Sequence, residues 1–357
     1  MFLTYYAKLI KQVDKSLKAL MKDQIDSVKN NSFLQFFYGK IEDFLFSGGK
    51  RIRPIMMITA FSAVNPDKSK DEAIKTSLSL ELIHNASLIH DDIMDNANTR
   101  RGKQAFHKVF YDFAEKKHNH SNLDYANYGE SMGILGGDYA YNLAYKAIHN
   151  DGFPPAVILR AAQEFNAGFL DIVQGVIYES ELMGRKNVSE AEYVEMIRGK
   201  TAALFEKSAR LGAILAEGSE TQIDSLGNFA LNVGIAFQLV DDIIGTFGDA
   251  KKTGKPVDSD IKEGKKTILV IKALENANEE QKLSLSRTLG NRDATATEVE
   301  EVRDIMKLTG ALQYAQNKAE ELYQLSQSYL ENTDSSLNQP YKDYLLSIAK
   351  MGVYREK

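Results

Sequence analysis

Residues 71–95 read DEAIKTSLSLELIHNASLIHDDIMD. Ile74, Leu78, Leu82, Ile83, Ala86, Leu88 and Ile89 recur at helical spacing and cover a broad apolar surface, the pattern of a helix buried inside a bundle. Residues 226–247 repeat it with Phe229, Val233, Ala236, Phe237, Val240 and Ile244. Further helical patterns cover 53–64, 131–148, 154–181, 189–216, 265–275, 297–328 and 341–351, and Leu9, Val13, Leu17 and Leu20 make the N-terminus an amphipathic helix. Hairpin signals are scarce, and the 357 residues include only 6 prolines, well under the usual ~5%. So few helix breakers leave room for many long helices. The fold class is all-α.

No stretch rich in Pro, Gly or Ser divides the chain, so one domain over residues 1–357 is expected. Residues 112–130, 182–188, 248–266 and 329–340 read as polar connections. There are no cysteines, which excludes disulfides, a thiol nucleophile and Cys-ligated metal, and fits a reducing, cytoplasmic location. Lys and Arg number 44 against 49 Asp and Glu, a net charge of -5. That balance argues against a general grip on nucleic acid. A small polyanion would have to be held by local basic clusters or bound metal. No run reaches the ~18 uninterrupted apolar residues of a transmembrane helix, and the N-terminus is too charged for a secretory signal. His118-x-His120, in a polar stretch, reads as a solvated loop before it reads as a metal site.

Two aspartate clusters end two of the apolar helices. In His90-Asp91-Asp92-Ile93-Met94-Asp95, Asp91 and Asp95 stand one turn apart on one helix face. Like charges at that spacing repel unless a cation lies between them, and carboxylate oxygens suit Mg²⁺, which keeps waters for a phosphate to replace. Asp92 is rotated about 100° away, in a supporting position. In Gln238-Leu239-Val240-Asp241-Asp242-Ile243-Ile244-Gly245, the place one turn beyond Asp241 holds glycine. Asp241 is therefore the ligand candidate of this cluster, with Asp242 behind it. Facing each other across a bundle, the two would form a multi-metal diphosphate site.

Basic groups flank the acids. SGGKRIRP, residues 47–54, has two glycines for a tight turn, Lys50 and Arg53 for an anion, and Pro54 for the first turn of a helix. Arg100-Arg101-Gly102-Lys103 follows the first acidic cluster, and Lys255, Lys262, Lys265 and Lys266 follow the second. Arg198-Gly199-Lys200-Thr201 suggests a phosphate loop, but the required earlier glycine is Val194 and no strand precedes it, so that motif is excluded.

In order, GGKRIRP, HNASLIHDDIMD, RRGK, GKTAALF, FQLVDDIIGTFGD and TGKP…DIKEGKKT resemble the trans-isoprenyl diphosphate synthase (polyprenyl synthetase) family over roughly residues 45–270. The resemblance implies a helical bundle around a deep central cavity, a homodimer, and condensation of isopentenyl diphosphate with an allylic diphosphate. It implies that Asp91, Asp95 and Asp241 hold Mg²⁺. Arg100, Lys200, Lys255 and Lys265 would contact the allylic diphosphate, and Lys50, Arg53, His84 and Arg101 the isopentenyl diphosphate. Thr201 and Gln238 would sit beside the developing cation. Read without the resemblance, His84 is a core histidine. Gly175, Val176 and Glu179 stand where the family often has Gly-Gln followed by an acid, so the glutamine is missing.

Product length follows from the helix before Asp91. Ala86 and Ser87 lie one turn deeper and are small, so a growing chain would pass them towards Ile83 and Leu80. The expected product is geranylgeranyl diphosphate, the alternatives being farnesyl or longer chains. A terpene cyclase uses one diphosphate and has no need of the Lys50/Arg53 cluster. A non-catalytic synthase subunit would be expected to have lost some of these residues.

Overall fold

The computed structural model describes residues 1–118, 122–248, 257–331 and 337–355. His120, Asp249 and Lys255 lie outside them. The chain forms two compact units, Met1–Gln163 with Ile214–Glu217, and Glu164–Ala213 with Gly218–Lys357.

The first unit holds α1 (Phe2–Ser27), α2 (Ser32–Leu45), α3 (Ile52–Val64), α4 (Asp71–Met94), α5 (Phe106–Lys117) and α6 (Tyr125–Ile148), with a minimal hairpin of β1 (Thr99–Arg100) and β2 (Lys103–Gln104). Its central packing is α4 against α6, and glycine makes it possible. Gly129, Gly133, Gly136 and Gly137 are buried on α6. A Cβ on Gly136 would come within 2.6 Å of the Phe106 ring, and one on Gly137 within 2.1 Å of the His90 imidazole. Phe36, Phe37, Phe106, Phe110 and Phe113 fill the space between α2 and α5 with stacked, tilted and edge-on rings.

α7 (Pro155–Met183) begins in the first unit and continues in the second. The second unit then holds α8 (Glu190–Ile197), a π-helical turn (Arg198–Ala202), most of α9 (Ala203–Leu215), α10 (Glu220–Phe247), α11 (Ser259–Glu263), α12 (Ile268–Asn276), α13 (Glu279–Thr288), α14 (Ala296–Leu308), α15 (Ala311–Glu331) and α16 (Tyr341–Val353). Four of these helices start with a capping box: Ser189/Glu192, Ser219/Gln222, Asn278/Gln281 and Thr295/Glu298. α10 forms the core, with Phe229, Val233, Ala236 and Leu239 buried, and it packs along α15, whose buried Ala311, Ala315 and Ala319 are small. α10 alone among the described helices is long and apolar enough to cross a membrane, but over half of its apolar window is buried and its last two turns carry Asp241 and Asp242.

The all-α reading holds, with three adjustments. The polar stretch 112–130 is mostly helix, belonging to the end of α5 and the start of α6. The pattern over 189–216 is interrupted by the π turn, and that over 297–328 by Gly310 at φ 77°. α2, α5, α11 and α13 complete the helices beyond those periodicity marked, α11 falling in the stretch 248–266 read as a polar connection.

Candidate active site

In the first unit, a cluster of candidate residues is built around the buried Arg51, which is 4% exposed. Gly48 and Gly49 take positive φ, 139° and 129°, and Arg51 itself sits in the left-handed region as the N-cap of α3. Its guanidinium bonds Asp14 Oδ1 of α1 at 2.9 Å, Glu81 Oε1 of α4 at 2.7 Å and the Leu45 carbonyl at 2.9 Å. Tyr6 donates to the Lys50 carbonyl at 2.5 Å. The loop is thus tied down through Arg51 and the Lys50 backbone, while Lys50 is exposed and Arg53 half-buried on either side.

Asn85 and Arg101 extend this network. Asn85 Nδ2 donates to Glu81 Oε1 at 2.9 Å, and Arg101 Nη1 donates to the Gly48 carbonyl at 2.7 Å and lies 3.5 Å from Asn85 Oδ1. Arg101 and Gly102 form the two-residue turn of the β1–β2 hairpin with φ of 53° and 72°, the positive-φ pair such a turn demands. The hairpin sends Arg101 to the glycine loop and Arg100 to Asp92, which Arg100 Nε reaches at 2.7 Å. Burial first, then the guanidiniums of Arg53, Arg101, Arg100 and Arg51, push the His84 pKa well below the usual histidine value. His84 is therefore a neutral ring inside an arginine cluster, able to share a hydrogen bond without adding charge.

At the end of α4, Asp95 is the C-cap residue, and its N–H bonds the Asp91 carbonyl at 2.8 Å. The one-turn spacing read from sequence is present. Asp91 is half-buried, Asp95 exposed and Asp92 fully buried. His90 bonds the Ile134 carbonyl across to α6 at 3.1 Å, a packing role. Deeper on α4, Ile83 and Ala86 are buried, and the Ser87 hydroxyl turns back to the His84 carbonyl at 2.8 Å.

In the second unit, another cluster lies in the last two turns of α10. Thr201 donates to Gln238 Oε1 at 2.8 Å, Gln238 Nε2 to Asp242 Oδ1 at 2.8 Å, and Tyr193 OH to Asp242 Oδ2 at 2.6 Å. Burial and then the neighbouring Asp260 raise the Asp242 pKa to about 7, against the pull of the two hydrogen bonds. Each aspartate pair thus has the same division: the second acid is buried and bonded by the protein, and the first is the more exposed. Asp241 Oδ1 meets the Arg355 guanidinium at 2.5 Å, and Arg355 also lies 3.7 Å over the Phe237 ring.

Lys200 pairs with Glu179 of α7. The π turn makes this possible, because α7 and the turn meet backbone to backbone. A Cβ on Gly175 would lie 2.1 Å from the Lys200 nitrogen, and one on Gly199 2.8 Å from the Asp171 carbonyl oxygen. Lys265 lies 3.6 Å from Asp260 and 3.0 Å from Glu263.

Several residues in these networks lack a sequence signal: Asp14, Glu81, Asn85, Tyr193 and Arg355. Of these only Glu81 and Asn85 show a hint, as polar residues one turn apart on the apolar face of α4.

Among the described residues no three His, Asp or Glu side chains are gathered as a ready-made metal cage. The donors nonetheless suit Mg²⁺: all are hard oxygens, and Asp241 already accepts a cation, the Arg355 guanidinium, at contact distance.

The profile of the family described as "Polyprenyl synthetase" matches residues 35–306. A geranylgeranyl diphosphate synthase of Saccharolobus solfataricus is 34% identical over 355 residues, covering 99% of this chain and 98% of that protein. A geranylfarnesyl diphosphate synthase of Aeropyrum pernix is 34% identical over 277 residues, covering 76% and 80%. The crystal structure of a geranylgeranyl pyrophosphate synthase from Corynebacterium glutamicum, complexed with isoprenyl diphosphate and magnesium, has a TM-score of 0.91 at 27% identity, covering 98% of this chain and 99% of that one. With the motifs in order and the helical fold matched over nearly its whole length, the chain belongs to the polyprenyl synthetase family and is a trans-prenyltransferase.

Proposed function

We propose that the protein is a Mg²⁺-dependent, cytoplasmic, homodimeric synthase, its two units acting as one catalytic domain. It condenses isopentenyl diphosphate with an allylic diphosphate and extends the chain to geranylgeranyl diphosphate. The observation that carries the reading is on α4. One helix presents a neutral His84 among four guanidiniums and, two turns on, the Asp91/Asp95 pair. A cationic pocket beside an acidic helix end is what two diphosphate substrates, one of them bridged by metal, require.

In this reading Lys50, Arg53, His84 and Arg101 bind the isopentenyl diphosphate. Arg100, Lys200, Lys265 and Lys255 receive the allylic diphosphate, and Asp91, Asp95 and Asp241 are the metal ligands. Bound Mg²⁺ supplies positive charge where the departing diphosphate becomes negative. Arg100 and Lys200, each already oriented by a carboxylate, add fixed positive charge to the same leaving group. As the allylic C–O bond breaks, the oxygens of Thr201 and Gln238 face the developing cation, and neither is a strong nucleophile. The new carbon–carbon bond then forms, and the proton lost from the adduct passes to the departing diphosphate, so no protein base is required. Buried Ile83 and Ala86 and the small Ser87 line the path of the growing chain.

The homodimer is supported by apolar side chains left in solvent. Leu159, Leu170 and Ile177 recur along one stripe of α7, each more than half exposed, and Ile134 and Leu135 are exposed on α6.

The test is chromatography of dephosphorylated products after incubation with labelled isopentenyl diphosphate, Mg²⁺ and each of three allylic primers, dimethylallyl, geranyl and farnesyl diphosphate. The expected label is in geranylgeraniol. Shorter or longer alcohols would replace the product assignment. Consumption of primer without isopentenyl diphosphate would indicate a cyclase, and no label with any primer would overturn the reading.

A further inference from the structure

Four side chains of the second unit form one chain of hydrogen bonds, running from the half-buried Thr201 to the fully buried Tyr193. Thr201 donates to Gln238 Oε1, Gln238 Nε2 donates to Asp242 Oδ1, and the Tyr193 hydroxyl donates to Asp242 Oδ2. Tyr193 and Thr201 are carried by α8 and the π turn that continues it, Gln238 and Asp242 by successive turns of α10. The two segments are thus joined at two points, Tyr193–Asp242 and Thr201–Gln238, and the Gln238 carboxamide links the two.

The order of donors has a chemical consequence. A hydroxyl has one proton, and a carboxamide has a donor end and an acceptor end. Asp242 accepts on both oxygens, so it takes the NH2 of Gln238 and turns Oε1 towards Thr201. Oε1 in turn takes the single proton of the Thr201 hydroxyl. Thr201 is left with lone pairs alone to offer a neighbour, which is what a developing cation needs. A carboxamide turned the other way would present its NH2 to Thr201 and leave the hydroxyl proton free to point at the cation.

Tyr193 is the fixed end of this chain. It is 1% exposed, and Asp242 is 5% exposed. The Ser189/Glu192 capping box starts α8 one turn earlier, and Tyr193 N–H bonds the Ser189 carbonyl at 3.1 Å. The π turn is held against α10 at close range, since a Cβ on Gly234 would lie 2.7 Å from the Ala202 Cα. A buried phenol hydroxyl needs a partner. Here the partner is the oxygen of Asp242 that Gln238 does not use, so the carboxylate cannot rotate without losing one of its two bonds. Filling space beside Asp242 would require only the ring.

We propose that Tyr193 is a positioning residue of the condensation. Through Asp242 it sets the orientation of the Gln238 carboxamide and thereby turns the lone pairs of Thr201 to the cation, touching neither substrate itself. The proposal rests on the reading of Thr201 and Gln238 as the groups beside the cation, and the experiment separates the two.

Turnover and KM for both substrates are compared for the wild type, Tyr193→Phe, Thr201→Val and the double variant, each checked for folding by its melting curve. Tyr193→Phe removes one oxygen and should lower kcat about 10-fold or more, with both KM values little changed. Thr201→Val should lower kcat as well. The double variant should be about as slow as Thr201→Val alone, because residues that act as a unit do not add. Thr201→Ser, which keeps the hydroxyl, should restore the sensitivity to Tyr193→Phe. Should Tyr193→Phe not fold, Asp242→Asn interrupts the same chain and should show the same non-additivity with Thr201→Val. Wild-type kcat in Tyr193→Phe, or losses that multiply in the double variant as they would for a residue that only supports packing, overturns the proposal. Wild-type turnover in Thr201→Val would instead sink the reading of Thr201, and the proposal with it.

Discussion

Arg51 shows how one residue in a basic run can have a different task from its neighbours. Lys50 is exposed and Arg53 half-buried, whereas Arg51 is turned inward by a left-handed backbone and held by Asp14 and Glu81. Arg51→Ala would leave Glu81 buried without this partner, at a cost of about 3–5 kcal/mol; urea denaturation measures it, and a loss below 1 kcal/mol would contradict the network. The two depressed histidines make a second prediction. His84 and His107 are held below the ordinary value of 6.5, His107 at about 4, mainly by burial. Below pH 6.5 the unfolded chain takes up protons that these rings in the native state do not, so stability present at neutral pH falls as pH drops. His107 alone would contribute a loss approaching about 3 kcal/mol at pH 4 and below. His107→Gln should flatten the acid side of a plot of unfolding free energy against pH; an unchanged slope would contradict the assignment. At this scale the sequence is a partial guide. Asp91 and Asp95 are legible because their spacing is local. The partners of Arg51 lie 37 and 30 residues away, and no periodicity links them. Arg355 on Asp241 is hidden for the same reason.

Among the elements, the π turn has the largest consequence. Arg198-Gly199-Lys200-Thr201-Ala202 sits inside an uninterrupted helical pattern, so its extra residue leaves no mark in the apolar spacing. It becomes legible only beside α7, where Gly175 and Gly199 permit backbone contact. Gly175→Ala would drive a methyl group into the Lys200 backbone. It should cost about 1–3 kcal/mol by overpacking, and should lower turnover because Lys200 and Thr201 move with the turn. Full activity and an unchanged melting temperature would refute this. On α4, Ala86→Phe should shorten the product, since Ala86 is buried one turn below Asp91. Chromatography of the dephosphorylated products reads this directly, and an unchanged distribution would place the floor elsewhere. The long helices were open to sequence reading because each keeps one apolar face. α5 was masked by its many charged and polar residues, although Phe106, Phe110 and Ala114 bury one face.

For the whole molecule, composition excluded more than it identified. A net charge of -5 gives no general affinity for polyanions, yet Arg51, Arg53, Arg100 and Arg101 converge electrostatically on His84. The absence of cysteine is no handicap to a chemistry that depends on carboxylates, arginine and lysine. For the proposed homodimer, sedimentation should find the wild type as a dimer and Ile177→Glu, on the exposed stripe of α7, as a monomer; a dimeric variant would place the interface elsewhere, and a monomeric wild type would contradict the homodimer. The central claim is that the aspartates of α4 and α10 serve a prenyl condensation. Its most direct test is Mg²⁺-dependent transfer of label from isopentenyl diphosphate to an allylic primer by the wild type, Asp91→Ala and Asp241→Ala. The account predicts rapid transfer by the wild type, abolished by chelation, and turnover lower by orders of magnitude in each variant. Near wild-type rates in either folded variant, or transfer that persists without Mg²⁺, would contradict it.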